Sequence, residues 1–227
     1  MTSLLFAPPA LGNVLSLTGL PGGSNKIHDR SPYGNVGTVF GATWVRLPGG
    51  LWVLSFDGND DYADFGSHPS LLSDVLTVEA WYKYEAQAFS PLLSWSTGAT
   101  PSIWLRWNEE KPLLYLGGAN FRYFSPSSPV NLYDGNYHRV VFVLTGNGQN
   151  DIDDARMYVD RYEQDVVSTV KTGLPDAKSV LKVGYNSYSS GKYFRGPVAL
   201  LTMRNREASL FQVQSLFDQE KHLFGVW

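Results

Sequence analysis

Cysteine is absent from this 227-residue sequence, so a disulfide framework is excluded and the redox compartment is left undetermined. No apolar run reaches the roughly 20 residues that a membrane-spanning helix needs. The N-terminus lacks a basic stretch followed by a long apolar one, so we predict a soluble chain without a signal peptide and of unknown localisation. The 18 basic residues form no cluster and the formal net charge is −3, which disfavours nucleic acid as a partner.

Apolar and aromatic residues, by contrast, are plentiful at 43% and 14% of the chain, enough for one core without a metal or disulfide staple. A single all-β domain routinely reaches this length. Short segments rich in β-branched and aromatic residues alternate with Gly, Pro, Asn and Asp turns, which predicts a sandwich or barrel. We expect strands at 13–20, 38–45, 51–56, 76–84, 92–95, 102–107, 113–117, 138–145, 155–159, 180–183 and 198–203.

The two ends of the chain do not show the strand pattern of the middle. Ser209 and Gln212 have the spacing of a helix capping box, and apolar residues follow at helical spacing up to Phe217. This pattern predicts one short C-terminal helix packed on the sandwich. At the other end, Pro8, Pro9 and Gly12 prevent regular structure. We therefore divide the chain into an N-terminal arm, 1–13, and one domain, 14–227.

A set of short segments carries a family resemblance through its order and spacing. The segments are Asp29–Asn35, Phe56–Tyr62, Leu76–Trp81, Asp134–Val140, Met157–Asp160, Leu181–Gly184, and Gly196–Ala199 followed by Ala208–Leu210. Together they resemble the laminin-G-like, concanavalin A-like jelly roll of the lectin/glucanase superfamily, although Tyr137 stands where that family usually has Trp. The resemblance implies an all-β, two-sheet antiparallel jelly-roll sandwich. It also implies that ligands bind at rim loops or on the concave sheet.

The resemblance also raises the question of a calcium ion, which many relatives bind at one rim through carboxylate and carbonyl oxygens. Asn186 follows Gly184 at the spacing that laminin-G modules use, but the segment 96–102, where a ligand Asp would be expected, has no carboxylate. We expect no cofactor to be required, with calcium as the open alternative. The candidate metal ligands are Asp29, Asp57 and Asn186; turn capping is the other interpretation of the two aspartates.

Catalysis is not expected, although the resemblance extends to glycan hydrolases. Those enzymes need a pair of carboxylates flanking the scissile bond. Glu79 lies on a predicted strand without a second acid, and a salt bridge to Lys83 is the role we expect for it. Neither Cys nor a Gly-x-Ser-x-Gly elbow supplies a nucleophile. The sequence therefore indicates a protein that is not an enzyme.

Two groups of aromatic and polar residues are candidates for a recognition surface. In the predicted strand 102–107, alternation places neighbouring Trp residues on opposite faces, so one of them faces away from the core. The loop after Gly184 is polar and aromatic and lies where the family binds ligands. For both groups the alternative is structural, with the rings packed in the core or the loop serving only as a connection. The candidate ligand-binding residues are Trp104, Arg106, Trp107, Tyr185, Asn186, Tyr188 and Tyr193.

Two functions remain open at this stage. The first is a non-catalytic recognition module for carbohydrate binding or adhesion, including on a virion or cell surface. The second is a structural protein, such as a phage capsid decoration or tail component, whose jelly roll makes protein contacts. In that case the arm 1–13 docks on a neighbour in a homo-oligomer or larger assembly. The expected partner is a glycan or a protein.

Overall fold

Two antiparallel β-sheets and one C-terminal helix make up the fold in a computed structural model. It describes residues 13–18, 21, 23, 25–67, 75–85, 90–96, 101–108, 111–116, 122–144, 155–168, 180–186 and 192–226. Sheet A contains β1 (Asn13–Leu17), β4 (Thr43–Arg46), β5 (Trp52–Asp57), β7 (Leu76–Tyr82), β12 (His138–Leu144), β13 (Arg156–Val159), β14 (Tyr162–Gln164) and β17 (Arg195–Arg204). Sheet B contains β2 (Lys26–His28), β3 (Val36–Phe40), β6 (Tyr62–Ser67), β8 (Ser90–Ser96), β9 (Pro101–Asn108), β10 (Lys111–Leu116), β11 (Arg122–Pro126), β15 (Val166–Ser168) and β16 (Val180–Val183).

The strand order is that of a jelly-roll sandwich, as the sequence predicts. Sheet A runs β14-β13-β12-β7-β17-β5-β4, with β1 also paired to β17, and sheet B runs β15-β11-β10-β9-β8-β16-β6-β3-β2. The predicted strand 38–45 is instead two strands in different sheets, because Gly41 turns the chain with a φ of +73°. Strand β1 begins at Asn13, where the predicted strand 13–20 also begins, and residues 1–12 of the predicted arm lie outside the described residues.

Period-two alternation places the core between the sheets. In β7, Val78, Ala80 and Tyr82 face the core, where they join Leu181 and Val183 of β16. Complete burial of an aliphatic or aromatic side chain of this kind contributes about 1.5–3 kcal/mol. The opposite set of β7 side chains is also buried, which shows that something covers the outer face of sheet A.

That cover is helix α1 (Leu210–Glu220). Ser209 Oγ accepts the Gln212 N–H (3.3 Å) and Gln212 Oε1 accepts the Ser209 N–H (3.0 Å), so the predicted capping box and helix are confirmed. Val213 and Phe217 are the buried side chains of the helix. The Trp81 ring stacks on Phe217 at a centroid distance of 5.4 Å. None of the described helices has the length and apolarity to cross a membrane.

Beneath α1 lies a buried ionic cluster that corrects one expectation. Glu79 pairs with Arg139 and Arg204 and not with Lys83, whose Nζ lies 3.0 Å from Glu85 Oε1. The reason is that Glu79 points toward the helix-covered side, where β12 and β17 flank β7. The helix therefore covers much of the outer face of sheet A. The outer face of sheet B and the rim loops remain as candidate binding surfaces.

Candidate binding surface at one rim of the sandwich

Four aromatic rings form a continuous row on the outer face of sheet B, which we call the aromatic row: Phe40, Tyr62, Tyr185 and Tyr193. Phe40 and Tyr62 stack with centroids 4.6 Å apart, Tyr62 and Tyr185 lie 5.6 Å apart, and Tyr185 and Tyr193 lie 4.8 Å apart. Phe40 is 42% exposed and the three tyrosines are partly exposed. The row thus presents aromatic surface to solvent at one end of the sandwich.

Strand register brings the four rings together. Phe40 is the register partner of Tyr62 across β3 and β6, and side chains directly opposite on one face are near neighbours. Tyr185 and Tyr193 face each other in an isolated antiparallel bridge. That bridge is anchored on both sides, since Ser94 Oγ donates to the Tyr185 carbonyl (2.5 Å) and the Phe194 N–H donates to the Gly184 carbonyl (2.8 Å). The row is therefore held by the sheet and by a hydrogen-bonded turn.

One cation lies against the middle of the row. Lys182 Nζ is 5.2 Å from the Tyr62 ring centroid and 5.1 Å from that of Tyr185, within the range of cation–π attraction. It is also 3.5 Å from Oδ2 of Asp64 on β6. At the end of the row, burial and then the neighbouring Tyr185 raise the pKa of Tyr193. The surface combines flat apolar rings with phenolic hydroxyls, an ammonium and a carboxylate.

The candidate ligand-binding residues of the loop after Gly184 lie in different places in the structure. Tyr185 and Tyr193 belong to the aromatic row. Asn186 is fully buried, and its backbone N–H points to the Lys192 carbonyl at 3.5 Å, so this residue lies beneath the surface. Tyr188 lies outside the described residues.

The candidate ligand-binding residues of the predicted strand 102–107 lie elsewhere on sheet B. Arg106 is half-buried in β9, two strands away from β16, and pairs in register with Pro91 and Leu113. Burial lowers the pKa of Arg106. The backbones of Trp104 and Trp107 also belong to β9, but their side chains lie outside the described part of the structure.

Phe40 and Tyr62 were missed in the sequence analysis. Phe40 lies in the interior of the predicted strand 38–45, and Tyr62 lies outside every predicted strand. The available signal was the period-two pattern of β6, in which Ala63 and Phe65 are buried while Tyr62 and Asp64 are partly exposed. Asp and Gly residues inside this short strand hid that pattern, because both are depleted in strands.

Next to the row, an acidic loop brings three carboxylates together within 4.8 Å: Asp57, Asp60 and Asp61. Asp57 accepts the N–H and side-chain amide of Asn59, which lower its pKa. Asp61 accepts the Asp57 N–H at 2.8 Å, and burial raises its pKa. Asp57 and Asp61 thus use carboxylate oxygens to hold the turn, and the three side chains together supply fewer oxygens than the six to eight ligands that calcium takes when each gives one.

Asp29, another candidate metal ligand, is part of a separate turn. Its two carboxylate oxygens accept five hydrogen bonds, from Ser16, Ser31 and Asn35. A carboxylate satisfied in this way caps backbone and side-chain donors, which is a structural role.

Comparison with known proteins identifies the family. The family model for the concanavalin A-like lectin/glucanases superfamily matches residues 57–214, more than half of the chain. The chain therefore belongs to this superfamily. No curated protein matches the sequence at a significant level.

Solved structures with the same fold include toxin binding domains and a sialidase. The binding domain of Paraclostridial Mosquitocidal Protein 1 superposes with a TM-score of 0.72 at 13% identity, over 95% of this chain and 55% of that protein. The binding domain of botulinum neurotoxin DC, in complex with rat synaptotagmin II, gives 0.68 at 10%, over 92% and 51%. Trypanosoma rangeli sialidase in complex with sialic acid gives 0.66 at 18%, over 96% and 34%. The chain spans about half, or less, of these structures, and at such identities the likeness shows the fold.

Proposed function

We propose that this chain is a non-catalytic recognition module that binds carbohydrate through the aromatic row. The observation that carries the proposal is the continuous, partly exposed row Phe40–Tyr62–Tyr185–Tyr193 with Lys182 against it. A sugar ring has an apolar face and an equatorial edge of hydroxyls. Aromatic rings with polar tips match that chemistry, since they combine an apolar body with hydrogen-bonding groups.

Family membership and the shape of the neighbours support a binding role. Two of the similar structures are binding domains, and one of these is in complex with a protein, rat synaptotagmin II. Glu79, which the sequence analysis weighed for catalysis and assigned to a salt bridge, is buried under helix α1 in ion pairs with Arg139 and Arg204. The partly exposed row, by contrast, is accessible from solvent.

A glycan array probed with the labelled chain tests the proposal. We expect binding to a subset of glycans, and a loss of about tenfold or more in affinity for Tyr193→Ala, the size expected when an important aromatic contact is removed. The matched control is Tyr162→Ala, because Tyr162 is 67% exposed on β14 at the far edge of sheet A. An array without signal, or equal losses in the two variants, contradicts carbohydrate binding by the row.

A second candidate function, protein contact within a larger assembly, is supported by one feature of helix α1. Phe211 is 79% exposed next to the exposed Leu210 at the start of the helix, and large apolar side chains exposed together often mark protein contacts. We expect self-association measured by sedimentation to disappear in Phe211→Ser if this function holds. A monomeric wild-type chain contradicts self-assembly through this face.

A further inference from the structure

A separate groove opens at the same rim, between the end of β7, the start of β17 and the loop before β12. It has a volume of about 450 Å³ and is lined by Lys83, Tyr84, Glu85, Tyr133, Gly135 and Arg195. Volumes of this size are typical of sites for small molecules. No residue of the aromatic row lines the groove.

The backbone fixes the floor of the groove. Residues 83–85 continue alongside β17, with the Lys83 N–H donating to the Pro197 carbonyl (3.1 Å) and the Glu85 N–H to the Arg195 carbonyl (3.3 Å). This close approach requires Gly196, since a Cβ at that position would lie 2.1 Å from the Lys83 carbonyl oxygen. The backbone on this side of the groove is therefore held against β17.

An exposed aromatic ring provides one wall. Tyr133 is 59% exposed, and its ring meets that of buried Tyr84 edge to face at a centroid distance of 6.2 Å. Tyr84 in turn contacts Phe194 of the core, with ring centroids 6.4 Å apart. The outer ring is thus supported from below and keeps surface free for a ligand.

The groove also holds two cationic side chains, Lys83 and Arg195. Lys83 is paired with Glu85 at 3.0 Å, whereas the Arg195 guanidinium has no ion pair within the described residues. The carboxylate of the nearby Asp57 interacts electrostatically with Arg195 and accepts two hydrogen bonds from Asn59. The Arg195 stem packs against Gly58, where a Cβ would lie 2.9 Å from the Arg195 Cβ. The stem is held there, while Arg195 as a whole is exposed to solvent.

We propose that this groove binds a saccharide carrying a carboxylate. Arginine offers a planar pair of N–H donors that matches a carboxylate bidentately, and such charge-assisted bonds are the stronger ones. The sugar ring lies against Tyr133, and Lys83 and Glu85 bond its hydroxyls. The inference extends the proposed recognition function to a second site and a second class of ligand.

Titration with D-glucuronate, followed by NMR, tests this site, with D-glucose as the neutral probe. We expect glucuronate to shift the Nε signal of Arg195 and the ring signals of Tyr133 while glucose does not. Arg195→Gln lowers the affinity for glucuronate by about tenfold or more. Arg206→Gln is the matched control, because Arg206 is exposed just beyond the opposite end of β17.

The outcomes separate the two proposals. No glucuronate shifts at Arg195 and Tyr133, equal shifts with glucose, or equal affinities of the two arginine variants would each overturn the groove site. None of these results tests carbohydrate binding by the aromatic row, which is tested by the Tyr193→Ala variant. A loss of array binding in Tyr193→Ala likewise says nothing about glucuronate in the groove.

Discussion

Glu79 and Arg139 form an ion pair that is buried between sheet A and helix α1. Arg139 Nη1 also donates to the Val213 carbonyl of the helix at 2.8 Å. Burial alone would raise the pKa of Glu79, but the guanidinium groups of Arg139 and Arg204 outweigh it and lower the pKa. The pair therefore links the helix that covers sheet A to the central strands.

Replacing this glutamate tests how strongly the helix is held. Glu79→Gln leaves Arg139 and Arg204 buried with less compensation, so we expect a loss of about 3–5 kcal/mol in the free energy of unfolding. Urea denaturation measures it. The matched acid-to-amide control is Asp218→Asn at the exposed Arg161–Asp218 pair (3.2 Å), for which we expect less than about 1 kcal/mol. Equal losses in the two variants would contradict the buried role of Glu79.

The pH dependence of stability should reveal His138. Its Nδ1 lies 3.0 Å from Asp160 Oδ2 and its Nε2 lies 3.1 Å from Asp134 Oδ1, an arrangement that requires the protonated ring. Burial alone would lower the pKa of His138, but the two carboxylates outweigh it and raise the pKa. The stabilisation is therefore complete below the unfolded pKa of about 6.5 and is lost as pH rises through the folded value.

We accordingly expect His138→Gln to destabilise the protein more at about pH 5.5 than at about pH 8.5. Urea unfolding of both proteins at the two pH values measures the difference. An NMR titration of the His138 ring gives an independent check. An equal loss of stability in His138→Gln at both pH values, or a pKa of His138 in the folded protein below its ordinary value, would contradict this arrangement.

Gly196 is expected to tolerate no side chain. Its φ is +129°, and an added Cβ would lie 2.1 Å from the Lys83 carbonyl oxygen, so Gly196→Ala combines backbone strain with a clash against backbone. We expect a loss of about 2–4 kcal/mol in the free energy of unfolding. Gly225→Ala is the control, with a φ of +72° and no atom within 4 Å of its Cβ. That control carries only the strain of about 1 kcal/mol, and thermal melts of equal midpoint for the two variants would disprove the clash.

What the sequence predicted well was local. The capping box at Ser209 and Gln212 depends on four neighbouring residues, and the alternation of β7 depends on one strand. Both can therefore be predicted without knowledge of the tertiary structure. The predicted ion pair of Glu79 with Lys83 was wrong, because the partner of Glu79 depends on which strands flank β7 and on the helix above. The aromatic row depends on the pairing of Phe40 with Tyr62 and on the bridge between Tyr185 and Tyr193, contacts that strand register decides.

The central claim is that the aromatic row is the carbohydrate-binding surface. The most direct measurement is an aromatic ¹H–¹³C NMR titration with the glycan that binds most strongly on the array. The account predicts that the ring signals of Phe40, Tyr62, Tyr185 and Tyr193 shift together along one saturating curve, while those of Tyr162 stay in place. Saturable binding that leaves the four rings unshifted would contradict it.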